Sequence, residues 1–74
     1  MNRLGEVVST AQGLLVLRPP VGTEVDIGTT ALDESLDTVG RVVDVFGPVD
    51  HPYVAVTPDG GNSDVLLGTK LYAK

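Results

Sequence analysis

The sequence predicts an all-β protein: a small six-stranded antiparallel-type closed β-barrel, with residues 1–74 forming one domain. Three observations carry this. The apolar content lies mostly in valine and leucine, and valine suits a pleated sheet better than a helix. Nine glycines and five prolines interrupt the chain, which leaves no room for long helices. Short apolar runs recur between clusters of turn residues, and closure into a barrel removes the exposed edges that a flat sheet would keep. A chain near this length buries only ~60% of its unfolded surface. It contains no cysteine, so neither a disulfide nor a thiolate metal site can staple it.

The first strand is expected over residues 3–9 (RLGEVVS). Ala11-Gln12-Gly13 reads as a turn, with Gly13 suited to a left-handed backbone. Residues 14–18 (LLVLR) form a continuous apolar run that Pro19 and Pro20 end, since proline cannot donate to a ladder. Val21, Thr23, Val25 and Ile27 alternate with Gly22, Glu24 and Asp26, a period of two with one face buried and one wet. Residues 28–37 (GTTALDESLD) read as a polar connector, either a loop or one helical turn. Residues 39–46 form the longest strand candidate, Gly47-Pro48 begins a turn, Pro52 closes it, and residues 53–57 return. Asp59-Gly60 lies in a strong loop signal. Residues 64–68 suit a short piece of strand, and residues 70–73 the last one.

Alternation assigns faces to the central hairpin. Val43, Val45, Val54 and Val56 are expected to line the barrel. Val42, Phe46 and Tyr53 are then expected to point outward near the Gly-Pro turn, with Val49 and Pro52 widening the apolar patch. A bulge at Gly47 would instead turn Phe46 inward as the core's one large ring. The sequence leaves both arrangements open.

Ten acidic and five basic residues give a net charge of −5. Such a balance disfavours direct contact with phosphate backbones, which rests on Lys and Arg. No apolar run approaches the ~20 residues that cross a membrane. The opening residues lack the layout of a secretory signal, so a cytoplasmic protein with no membrane association is expected. The sole histidine, His51, cannot build a zinc site in the absence of cysteine. No serine sits in a nucleophile elbow. Asp33, Glu34 and Asp37 match no calcium loop and suit a solvated turn. Gly60-Gly61 lacks the lysine of a phosphate-binding loop. No catalytic residue, metal ligand, cofactor or small-molecule ligand is expected, and the chain is not expected to be an enzyme.

The run VGRVVDVFGPVDHPYVAV, residues 39–56, carries a Val-Gly-x-Val entry, an aromatic-Gly-Pro-Val turn and a Pro-Tyr-Val return strand. Here the chain resembles the archaeal Gar subunit of H/ACA ribonucleoproteins, the RNA-guided pseudouridylation complexes. Arg3-Leu4-Gly5-Glu6-Val7 and Gly68-Thr69-Lys70-Leu71-Tyr72 add weaker likeness to that family's first and last strands. The resemblance implies a six-stranded barrel without catalytic residues. It implies a dyskerin-type pseudouridine synthase as partner, the guide RNA complex being met only indirectly. In that role the subunit promotes loading of substrate RNA and release of product during rRNA modification. By motif, the partner-binding residues are Phe46, Gly47, Pro48, Val49, Pro52 and Tyr53, with Val42 added from the alternation of faces. The glycine-arginine-rich tails of eukaryotic members are absent from this sequence. The alternative function is a direct RNA-binding barrel in ribosome or RNA maturation. A pocket-bearing barrel is disfavoured, because so short a chain leaves little interior volume.

Overall fold

Strand-forming runs organise the chain into β1 (Asn2–Ala11), β2 (Leu14–Arg18), β3 (Thr30–Leu32), β4 (Thr38–Phe46), β5 (Tyr53–Pro58) and β6 (Lys70–Ala73) in the computed structural model. It describes residues 2–20, 22–59 and 67–74. The strands close into a barrel in the order β1-β2-β5-β4-β3-β6, every neighbouring pair antiparallel. β1 is long enough to serve two neighbours. Its first half pairs with β6 and its second half with β2. The expected fold class is therefore the observed one.

The β1–β2 connection is a two-residue turn, with Gln12 at φ 52° and Gly13 at φ 80° between the paired Ala11 and Leu14. Two positive φ values define the mirror-image turn whose twist matches that of the flanking strands. The core is wholly aliphatic: Leu4, Val7, Leu15, Leu17, Ala31, Val42, Val54, Val56 and Leu71 form one buried cluster. Among the described residues no polar or charged side chain is buried. Gly40 lets β4 and β5 approach closely, because a Cβ there would collide with the Thr57 carbonyl oxygen.

Two expectations about the elements are corrected. The period of two across Val21 to Ile27 does not make a ladder strand. Thr23 and Val25 are half-buried and Glu24 and Asp26 exposed, yet the backbone bonds serve turns: the Thr23 N–H donates to the Pro20 carbonyl (3.1 Å) and the Thr29 N–H to the Asp26 carbonyl (3.2 Å). Ile27 is exposed and Val25 packs against the core, while Val21 lies outside the described residues. The third strand instead lies inside the supposed polar connector. Thr30-Ala31-Leu32 is too short to display a period, but it bridges β4 and β6 and buries Ala31 and Leu32. The expected piece of strand at 64–68 lies largely outside the described residues, as do Gly60 and Gly61. Leu67 and Gly68 form a turn.

Candidate docking site

The β4–β5 hairpin is built around a rigid turn. Gly47 has φ 99°, which side chains rarely tolerate, and a Cβ on it would stand 3.1 Å from Cδ2 of Tyr53. The His51 N–H then donates to the Pro48 carbonyl at 3.1 Å, closing the loop. This geometry leaves Phe46 and Tyr53 as direct cross-strand partners. Their rings stack with centroids 5.8 Å apart and planes 26° from parallel. Phe46 is 44% exposed and Val49, at the loop tip, 96% exposed. Gly47 and Pro48 are exposed, and Pro52 and Tyr53 are half-buried. Phe46 is thus not the ring of the core; it lies on the outside of the barrel.

Tyr53 is held from its other side by β2. An Arg18 guanidinium nitrogen donates to the Tyr53 hydroxyl at 3.2 Å, and the guanidinium carbon lies 5.8 Å from the ring centroid. Accepting this bond, the hydroxyl raises the pKa of Arg18 above its ordinary value. Arg18, Tyr53 and Phe46 thereby form a row across three adjacent strands, β2, β5 and β4. Sequence reasoning missed Arg18, although the signal existed: once β2 is placed beside β5, the end of LLVLR falls next to the start of the return strand.

The expected faces of β4 need correction. Val42 is 1% exposed and belongs to the core, not to the outward patch. Val43 and Val45, expected to line the barrel, are 40% and 37% exposed. The cause is a bulge. Val42 pairs with Val56 and Asp44 with Ala55, so Val43 is an extra residue. One inserted residue reverses the alternation beyond it, which lets Val42 point in and Phe46 point out although both are even-numbered. Val45 then falls opposite the buried Val54. It remains open to solvent because β4 outruns β3, whose pairing stops at Arg41 and is prolonged only by the Gly28 and Thr29 bonds to Val42. Among the described residues no backbone bond reaches Asp44, Val45 or Phe46 from that side.

A second surface feature lies on the other flank. A cleft of about 570 Å³ is lined by Arg3, Glu6, Arg18 and Lys70 together with Asp50 and His51 of the hairpin loop. The sequence scatters these cations, and the barrel gathers three of them. The cleft is on the outer wall and takes no volume from the small interior of the barrel. The Asp33 carboxylate is occupied locally: its Oδ1 accepts from the Ser35 N–H (2.8 Å) and the Asp37 N–H (3.0 Å), fixing the β3–β4 turn.

Fold and site together define a small closed β-barrel with a stacked aromatic hairpin on its outside. The chain belongs to the family of an uncharacterized protein of the archaeon Methanocaldococcus jannaschii. It is 34% identical to that protein over 65 residues, covering 88% of this chain and 74% of the relative. No family model matches the chain.

Proposed function

We propose that this barrel is a non-catalytic docking subunit of an H/ACA-type ribonucleoprotein, binding a dyskerin-type pseudouridine synthase and promoting substrate loading and product release in RNA-guided modification. The observation that carries the reading is the Phe46–Tyr53 stack, presented on a turn that Gly47 and Pro48 stiffen. Preorganised aromatic anchors lose little entropy on binding, and such residues dominate interface energies. Phe46 and Val49 supply the apolar contact, Pro52 and Tyr53 its flank, and Gly47 and Pro48 its shape. Val42 supports the site from the core beneath.

Two further points support this reading. The resemblance to the Gar family is densest over the same hairpin. The relative is archaeal, as the resembling subunits are. The reading places the protein in the cytoplasm, with no membrane role.

Retention of the full-length chain by an immobilised dyskerin-type synthase tests the proposal. Wild type is expected to be retained and Phe46→Ala to be lost from the resin. A wild-type chain that elutes with the wash overturns the function. Normal retention of a folded Phe46→Ala variant overturns the placement of the interface alone.

A further inference from the structure

The protein carries a net charge of −5, yet three of its five cations line one cleft. Strand order explains the gathering. β6, β1 and β2 are neighbours in the barrel, and Glu6 of β1 is the ladder partner of both Lys70 and Arg18. Arg3 joins from the same strand as Glu6, and Asp50 and His51 complete the polar lining. No ion pair engages Arg3, Arg18 or Lys70 among the described residues. Arg18 spends one donor on the Tyr53 hydroxyl and keeps the rest of its guanidinium fork for other partners. Pro19, Pro20 and Pro52 supply apolar lining.

We propose that this cleft binds a phosphate monoester borne by a small molecule of about nucleotide size. Two guanidinium forks and an ammonium exceed what a single carboxylate needs and suit the several oxygens of a phosphate dianion. The volume, about 570 Å³, lies within the range of small-molecule sites. A nucleic-acid strand is disfavoured because the cations do not continue into a track. Arg41 lies on β4 and Lys74 beyond β6, and neither lines the cleft. Glu6 and Asp50 oppose an anion and therefore limit its affinity. This inference does not rest on the docking reading, since it concerns the isolated chain.

The test is a titration of the isotope-labelled full chain, followed by backbone amide resonances, with adenosine 5′-monophosphate, adenosine, inorganic phosphate and oligoadenylate. Adenosine 5′-monophosphate is expected to saturate shifts centred on Gly5, Glu6, Arg18, His51 and Lys70, and adenosine to give none. Arg3→Ala with Lys70→Ala is expected to weaken binding by about tenfold or more. Arg41→Ala with Lys74→Ala, which removes the same charge elsewhere, should leave it within about twofold. Glu6→Gln should tighten it. Equal losses in both double variants, or shifts spread evenly over the surface, overturn the site. Tighter binding of oligoadenylate than of the mononucleotide overturns the small-molecule assignment. Because no synthase is present, failure here leaves the docking proposal standing, and failure of docking leaves this one standing.

Discussion

The Arg18 guanidinium donates to the Tyr53 hydroxyl at 3.2 Å while lying 5.8 Å from the same ring's centroid. Tyr53 is therefore held from β2 on one side and by the Phe46 ring on the other. The same Arg18 lines the basic cleft. One side chain thus joins the two surface features of the barrel and fixes the ring on which the apolar hairpin is built.

Replacing Gly47 with alanine forces a side chain into φ 99° and against the Tyr53 ring. A destabilisation of about 1–2 kcal/mol is expected from the backbone conformation. Chemical denaturation should report it, together with a change in the ring resonances of Tyr53. The Gly40→Ala variant should fare worse, since its Cβ would meet backbone and not a movable ring. It is expected to fail to give a dispersed amide spectrum.

The bulge in β4 makes a sharp prediction for two valines three positions apart. Val42→Asp places a charge in the aliphatic core and should abolish cooperative folding. Val45→Asp, at a site 37% exposed, should fold and melt close to wild type. Circular dichroism melts of the two variants check this directly. A folded Val42→Asp protein would contradict the assigned register.

Gln12 occupies the first central position of a turn that requires positive φ at both residues. Asparagine tolerates that conformation better, so Gln12→Asn should stabilise the barrel by about 0.5 kcal/mol. For a domain of this size that corresponds to roughly 2–4 °C in the melting midpoint. The substitution touches neither the hairpin nor the cleft, so binding should not change.

The β1–β2 hairpin and the barrel class were legible in the residues, whereas the side on which Phe46 lies is left open by the sequence and is decided by the bulge at Val43. Gly13, the run LLVLR and the Pro19-Pro20 stop describe local geometry that needs no distant partner. The face of Val42 was not legible, because parity assumes an unbroken ladder and the extra residue at Val43 is specified only by how β4 meets β5. β3 escaped notice because three residues cannot show a period, and its burial depends on β4 and β6 closing around it. Arg3, Arg18 and Lys70 looked dispersed because their proximity follows from strand order and not from spacing in the chain.

The central claim is that the stacked Phe46–Tyr53 hairpin is a docking anchor. Isothermal titration of a dyskerin-type synthase with wild type, Phe46→Ala and Val8→Ala tests it most directly, Val8 being an exposed valine of β1 outside the hairpin. The account predicts saturable binding by wild type and a loss of about 2 kcal/mol or more, roughly thirtyfold, for Phe46→Ala. Val8→Ala should match wild type. No binding by wild type, or equal affinities for wild type and a folded Phe46→Ala variant, would contradict it.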